Sequence, residues 1–124
     1  MNRNNNFLYN CWYVAAWSHE ITNKIFTRTI LGEPIVFYRK SNNEIAALLD
    51  QCPHRAAPLS TGKIYGDDIQ CGYHGFKFNP QGECIWLPGQ KSIPKKIKAR
   101  NYPIIERWKW VWIWLGDPEI ADES

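Results

Sequence analysis

Two short segments of the 124-residue chain each carry one cysteine and one histidine, in the same order. The first segment holds Cys52 and His54 as Cys-x-His, and the second holds Cys71 and His74 as Cys-x-x-His. Sixteen residues separate His54 from Cys71. Thiolates and imidazoles are the side chains that bind soft and borderline metals. The spacing therefore predicts one metal centre with four ligands on two loops.

The order of these ligands distinguishes two kinds of metal centre. A zinc finger pairs cysteine with cysteine and histidine with histidine in separate halves of its motif. Here each segment brings one of each. The alternation favours a dinuclear iron–sulfur cluster, in which one iron binds both thiolates and the other binds both imidazoles. A tetrahedral zinc site, and core cysteines with ordinary loop histidines, are the alternatives.

This ligand set has a redox consequence. Two neutral imidazoles in place of two anionic thiolates make the cluster less negative, so that an added electron is held more tightly. The reduction potential rises from about −400 mV for plant-type clusters to between about −150 and +300 mV. Each imidazole also carries an outer N–H, and a proton can therefore follow the electron. The four ligands predict electron transfer.

The elements that position these ligands are predicted to be strands. Aromatic residues make up 15% of the chain, and its eight glycines and eight prolines are scattered between short apolar runs. Aromatic residues favour strands, while glycine and proline mark turns. We predict an all-β single domain over residues 1–124, with about eight or nine strands and no helix longer than about two turns. Residues 44–49 lead into the first ligand segment, and residues 67–70 lead into the second.

Two further predictions concern the end of the chain. Residues 99–105 form either an edge strand or a strand interrupted at Pro103, because proline cannot donate to a sheet. Residues 109–115 are apolar nearly throughout, which is typical of a strand covered on both faces. The remaining cysteines, Cys11 and Cys84, are predicted to be buried thiols outside the metal centre.

On these residues the chain resembles the Rieske [2Fe-2S] domain of the Rieske non-haem iron oxygenases. The segments CPHR at 52–55 and CGYHG at 71–75 are similar to the two cluster-binding loops of that family. Residues 12–17, 31–36, 50–60 and 110–118 are similar to the N-terminal part of vanillate O-demethylase type oxygenase subunits. The resemblance covers nearly the whole chain.

The resemblance implies a Rieske-type antiparallel β-sandwich with a small cluster-binding subdomain at about residues 50–90. It also implies one [2Fe-2S] cluster per chain. Cys52 and Cys71 would bind one iron of this cluster, and His54 and His74 would bind the other.

Three positions separate the chain from respiratory Rieske proteins. Those proteins carry an extra disulfide-bonded cysteine in each ligand loop, where this chain has Ala57 and Tyr73. They also place a serine after the His-Gly pair, where Phe76 stands here. Fewer donors to the cluster sulfurs and no disulfide imply a potential at the low end of the Rieske range. The family's third, proline-containing loop would be residues 87–90.

The histidine count limits the chemistry of the chain. The mononuclear iron of these oxygenases needs two histidines and one carboxylate, and only His19 remains outside the ligand segments. We therefore expect an oxidoreductase component without a complete active site, from which the catalytic mononuclear-iron domain is absent. By resemblance, electrons come from a reductase or ferredoxin and pass to the mononuclear iron of an aromatic-ring or O-demethylating oxygenase. A trimer is expected only of a full-length oxygenase.

Other functions stay open on the sequence. The alternatives are a free-standing Rieske ferredoxin and a redox sensor or inert remnant. No nucleic-acid motif, secretory signal or apolar segment of membrane-spanning length is present, so we expect a cytoplasmic protein without nucleic-acid or membrane partners. The basic segment 91–100 favours a solvated loop and edge strand; the alternatives are a docking patch for an acidic redox partner and, although no nucleic-acid motif accompanies the charge, a nucleic-acid contact.

Overall fold

The apolar segments of the sequence form short strands in the computed structural model, which describes residues 11–51, 58–72, 76–86 and 98–116. Ten strands lie within these ranges: β1 (Cys11–Trp17), β2 (Phe26–Ile30), β3 (Glu33–Arg39), β4 (Ile45–Leu49), β5 (Lys63–Tyr65), β6 (Asp68–Gln70), β7 (Lys77–Phe78), β8 (Cys84–Trp86), β9 (Ile104–Arg107) and β10 (Trp110–Leu115). Single 3-10 turns cover Ser18–Glu20 and Leu59–Thr61. None of the helical segments in these ranges is long and apolar enough to span a membrane.

The strands form three antiparallel sheets. The base sheet has the order β1-β10-β9, the central sheet β2-β3-β4 and the outer sheet β5-β6-β7-β8. The predicted all-β, antiparallel fold class is confirmed. In the base sheet, the indoles of Trp17 and Trp110 stack with their ring centroids 3.6 Å apart. Those of Trp12 and Trp114 meet edge to face at 5.4 Å.

The central sheet lies between two hydrophobic cores. On one face, Ile35 and Phe37 of β3 pack in a buried cluster with Val111 and Ile113 of the base sheet. On the other face, side chains of β3 and β4 pack against the outer sheet, in a cluster that includes Val36, Tyr38, Leu48, Ile69 and Phe78. A strand buried on both faces has a continuous apolar sequence, which explains the run from Ile35 to Tyr38. Each fully buried large apolar side chain contributes about 1.5–3 kcal/mol.

Strand β3 begins earlier than the sequence suggested. Gly32 and Pro34 predict a turn over residues 31–34, but Glu33 and Pro34 already belong to β3 and pair with Ile30 and Thr29. The turn is Leu31-Gly32 alone, with φ of +51° and +78°. Positive φ at both central residues is typical of a type I′ hairpin turn, whose twist matches its flanking strands. Proline is common in turns, but this hairpin closes with two residues, so that Pro34 lies in the strand.

Two other segments refine the predicted strand count. Strand β5 was not expected, because its three residues include only one half-buried apolar side chain, Ile64. Of the two alternatives for residues 99–105, the interrupted strand is confirmed: β9 begins only at Ile104, after Pro103. Before the proline, Lys98 and Asn101 form only isolated bridges.

The outer sheet is tied to the central sheet at the β5–β6 turn. The Tyr38 hydroxyl, wholly buried, donates a hydrogen bond of 2.8 Å to the Asp67 carbonyl. The Asp67 carboxylate accepts bonds from the backbone N–H of Ser41 at 2.7 Å and from its hydroxyl at 3.0 Å. Burial, and then the charges of Asp68 and Asp67, raise the pKa of Tyr38. The phenol therefore stays a neutral donor.

Candidate metal centre

One of the four predicted ligands, Cys71, lies within the described residues. It follows β6 directly and is 2% exposed, in the same core cluster as Ile69, Phe76 and Phe78. Its backbone N–H donates to the Phe76 carbonyl at 2.7 Å, and this bond closes the second ligand loop just before β7. Cys52, His54 and His74 lie outside the described residues, so the grouping of the four ligands stays a prediction. The family's third loop, residues 87–90, lies outside them too.

The strand before the first ligand segment ends in a fixed position. The backbone N–H of Leu49, the last residue of β4, donates to the Arg100 carbonyl at 2.8 Å. The next N–H, that of Asp50, donates to the Pro34 carbonyl of β3, also at 2.8 Å. Asp50 is therefore fastened to the central sheet two positions before Cys52.

A carboxylate joins the two ends of the first ligand segment. Asp50 Oδ1 accepts a hydrogen bond of 2.7 Å from the backbone N–H of Ser60, and its Oδ2 accepts one of 2.6 Å from the Ser60 hydroxyl. Ser60 stands in the 3-10 turn that begins at Leu59, whose side chain is wholly buried. Hydrogen bonds to an ionised acceptor are short and strong. The Asp50–Ser60 pair thus closes the first loop.

The segment that follows the first ligand loop is in direct backbone contact with the second loop at a pair of glycines. A Cβ added to Gly62 would collide with the Gln70 carbonyl and lie 2.9 Å from the Gly72 nitrogen. A Cβ added to Gly72 would lie 2.6 Å from the Thr61 carbonyl oxygen. Only glycine permits so close an approach. The chain that leaves the first loop therefore lies against the residues that begin the second.

A shallow cavity of about 340 Å³ opens where these segments meet. Thr61, Gly62 and Lys63 line one side, and Gln70, Cys71 and Gly72 line another. On the adjoining face of the outer sheet, Lys77 Nζ lies 5.0 Å from the ring centroid of Tyr65 and 5.5 Å from that of Trp86. Cation–π contacts of this length hold the ammonium in place.

The described surroundings of Cys71 fit an iron–sulfur cluster. Its thiol is shielded from water by apolar side chains, and burial of this kind is one of the factors that set a cluster's potential. Phe76, 9% exposed, supplies no hydroxyl beside the second loop. Two thiols and two imidazoles are also the donor set that such a dinuclear centre requires.

The other cysteines differ in burial. Cys84 is 8% exposed in the same core, and its thiol donates to the Trp86 carbonyl at 3.5 Å. Burial raises the pKa of the Cys84 thiol, which keeps it protonated. The prediction of a buried thiol is confirmed for Cys84. It is wrong for Cys11, which is only partly buried, because it opens β1 at the edge of the core.

The described part of the basic segment does not form one solvent-facing patch. Lys98 is exposed, but Arg100 is partly buried and lies 3.5 Å from the Glu33 carboxylate, over the ring of Tyr102. The Arg100 charge therefore acts within the fold. Residues 91–97 lie outside the described ranges.

The sequence placed Asp50 and Ser60 in a segment that resembles the family, and Gly72 in the second ligand motif, but indicated no role for them or for Gly62. The small residues of the segment 56–62 indicated only a connection. The available signal was an aspartate two positions before the first cysteine and a Ser-x-Gly after the loop. No local rule joins two residues ten positions apart, so the hydrogen bonds become visible only in the fold.

Comparison with known proteins identifies this arrangement. Residues 11–103 match the Rieske [2Fe-2S] domain. The chain is 50% identical to the iron–sulfur subunit of the toluene-4-sulfonate monooxygenase system of Comamonas testosteroni, over 94% of this chain and 34% of the relative. It is 45% identical to the oxygenase component of dicamba O-demethylase of Stenotrophomonas maltophilia, with the same coverage. It spans about a third of the length of the curated relatives it matches.

Solved structures of the same family have the same fold as this chain. The crystal structure of apo dicamba monooxygenase superposes with a TM-score of 0.90 at 44% identity, over 94% of this chain and 37% of that one. The oxygenase subunit of vanillate O-demethylase of a Pseudomonas species is 41% identical over 94% of the chain and 32% of the relative. The chain belongs to the Rieske [2Fe-2S] domain family, its relatives are Rieske oxygenase subunits, and its cofactor is a Rieske-type [2Fe-2S] cluster.

Proposed function

We propose that the chain relays electrons from a reductase or ferredoxin to the mononuclear iron of an oxygenase. The observation that carries this proposal is the family match over residues 11–103, together with a buried Cys71 at the start of a loop closed by its own backbone. The relatives' names describe a monooxygenase system subunit and an O-demethylase oxygenase component. An aromatic-ring or O-demethylating oxygenase is accordingly the proposed acceptor.

The proposed ligands divide between the two irons. Cys52 and Cys71 would hold one iron, and His54 and His74 the other. The bound cluster supplies the uptake and release of one electron at a time. The protein positions the ligands and surrounds them with an apolar environment. The core around Cys71 excludes water, and the hydrogen bond from the Cys71 N–H to the Phe76 carbonyl fixes the second loop.

The remaining domain assignments are proposals of the same kind. We place the whole chain in a single Rieske domain, with residues of about 50–90 forming the cluster-binding part. The two cores agree with this division, because the core between the central and outer sheets is the one that contains Cys71. The base sheet and the other face of the central sheet act as its support.

The test begins with the purified chain and the variant His54→Cys. We expect about two irons and two acid-labile sulfides per wild-type chain, and reduction by a plant-type ferredoxin, whose potential of about −400 mV lies below the Rieske range. His54→Cys should lower the midpoint potential, because a thiolate adds negative charge where an imidazole stood. His19→Cys is the matched control, since His19 lies outside both ligand segments.

Three results would contradict the proposal. One zinc without sulfide would exclude the cluster in this chain. An unchanged or raised potential in His54→Cys would exclude His54 as a ligand. A wild-type cluster that ferredoxin leaves oxidised would exclude the proposed relay.

A further inference from the structure

Two aspartate–serine pairs in the structure have the same hydrogen-bond pattern. In each pair, one carboxylate accepts from both the backbone N–H and the hydroxyl of a serine. The distances are 2.7 and 2.6 Å for Asp50 with Ser60. They are 2.7 and 3.0 Å for Asp67 with Ser41. The chain therefore contains the same local chemistry twice.

The two pairs lie at opposite ends of the same elements. Ser41 precedes β4 and Asp50 follows it, and this five-residue strand spans about 16 Å. In the outer sheet, Asp67 stands in the turn before β6, and Cys71 follows the other end of that strand. The Asp50–Ser60 pair is thus at the ligand-loop end, and the Asp67–Ser41 pair is at the far end.

The Asp50–Ser60 pair joins two chain segments that are anchored by different contacts. Asp50 is fixed to the central sheet by its N–H bond to the Pro34 carbonyl. Ser60 is held by the neighbouring side chain of Leu59, which is buried in the core between the central and outer sheets. Both predicted ligands of the first loop, Cys52 and His54, lie between the two partners in sequence. A change in this pair therefore changes the distance between the ends of that loop.

The pair is also connected to the second ligand loop. Two positions after Ser60, the chain reaches Gly62, whose backbone lies against Gln70 and Gly72. Those residues flank Cys71. A shift of Ser60 is thereby transmitted through three residues of backbone to the second loop, and no flexible side chain intervenes.

We propose that Asp50 and Ser60 are positioning residues that set the geometry of the first ligand loop relative to the second. This inference rests on the proposed function, because it concerns the cluster that the two loops would hold. The carboxylate touches no predicted ligand in the described residues and acts through the loop ends. Its effect should therefore be seen in how tightly the cluster is retained and at what potential it is reduced.

The experiment compares Ser60→Ala with its matched control Ser41→Ala in the full chain. Each variant removes one hydroxyl bond to a carboxylate and leaves the backbone N–H bond in place. We expect iron release to a chelator to be about ten-fold faster in Ser60→Ala, the low end for loss of a partner around a metal site, together with a changed midpoint potential. Ser41→Ala should match the wild type in both. Ser60→Thr, which keeps the hydroxyl, should restore both.

The outcomes are distinguishable. If the wild type binds iron and sulfide but Ser60→Ala and Ser41→Ala release iron equally fast at the same potential, the positioning role is overturned and the proposed function stands. If the wild type binds no cluster, both fall. Should Ser60→Ala fail to fold, Asp50→Asn replaces it with Asp67→Asn as control. An altered potential in Asp50→Asn alone then supports the role, and equal potentials refute it.

Discussion

The two ligand loops are held in place by different kinds of contact. The first is closed by a side chain, the Asp50 carboxylate, on the N–H and hydroxyl of Ser60. Among the described residues, the second is closed by a backbone hydrogen bond from the Cys71 N–H to the Phe76 carbonyl. A side-chain contact can be removed directly by one substitution of the side chain that makes it. A backbone contact can be removed only by displacing it.

The contact between Gly62 and the second loop is also a backbone contact. Gly62 and Gly72 let main chain approach main chain, so any added side-chain atom must push one loop away from the other. We therefore expect substitutions to lower the free energy of unfolding by different amounts. The loss should be largest at the Gly62 backbone contact and smaller at the buried Tyr38 hydroxyl that binds the outer sheet. It should be smallest at the partly exposed Arg39–Glu106 ion pair. Three variants test this order.

The largest effect is expected from Gly62→Ala. The new Cβ would collide with the Gln70 carbonyl, and neither backbone segment can yield as a flexible side chain would. We expect a loss of about 3 kcal/mol in the free energy of unfolding, at the upper end for overpacking, measured by urea denaturation. Gly66→Ala is the control: it has open space around it but φ of +61°, so it should lose only about 1 kcal/mol. Equal losses would contradict the proposed backbone contact.

A smaller effect is expected from Tyr38→Phe. The variant removes the buried hydroxyl that binds the Asp67 carbonyl and leaves the ring in the core. We expect a loss of about 1–2 kcal/mol in the free energy of unfolding, read from the shift in the urea midpoint. Tyr65→Phe, at a ring that is 47% exposed, should change stability by less than about 0.5 kcal/mol. A Tyr38→Phe chain as stable as Tyr65→Phe would show that the hydroxyl does not hold the sheets together.

The smallest effect concerns Arg39 and Glu106, which join β3 to β9 by two bonds of 2.9 Å. The Arg39 guanidinium lowers the pKa of Glu106 below its usual 4.5. A lowered folded-state pKa means that the ion pair stabilises the protein above the ordinary carboxyl pKa. That contribution is lost as pH falls through the lowered value. Since the Glu106 side chain is 34% exposed, the pair contributes only about 0.5 kcal/mol.

Glu106→Gln therefore tests both the pH dependence and the ranking. At neutral pH it should be slightly less stable than the wild type, and the difference should shrink as pH falls below about 4. Urea titrations at several pH values measure this. A difference that grows on acidification would reverse the assigned sign. The variant should also leave the midpoint potential of the cluster unchanged, because the pair joins the central and base sheets.

Much of the base and central sheets could be predicted from residue pattern. Residues 11–17 and 26–30 are apolar or alternating runs next to turn residues, a pattern that predicts strands, and they form β1 and β2. The ligand motif predicted the family, which the comparisons confirm. These features depend on neighbours in sequence, where pattern rules are strongest.

The contacts that hold the ligand loops could not be predicted in the same way. Asp50 and Ser60 meet because Leu48 of β4 and Leu59 of the 3-10 turn are buried in the same core. Gly62 and Gly72 meet because β5 and β6 pair from Lys63 to Gln70. Strand β5 itself was missed, since its three residues carry almost no apolar pattern.

The pairing of β1 with β10 has a consequence for the order of folding. Cys11 lies opposite Leu115, about one hundred positions along the chain, whereas the β2–β3 hairpin closes over two residues. Loop-closure entropy makes so distant a pairing form late and slowly. During synthesis β1 leaves the ribosome before the other described strands, yet it finds its partner only when β10 has emerged. The local hairpins are therefore available to fold before the sheet that supports them is complete.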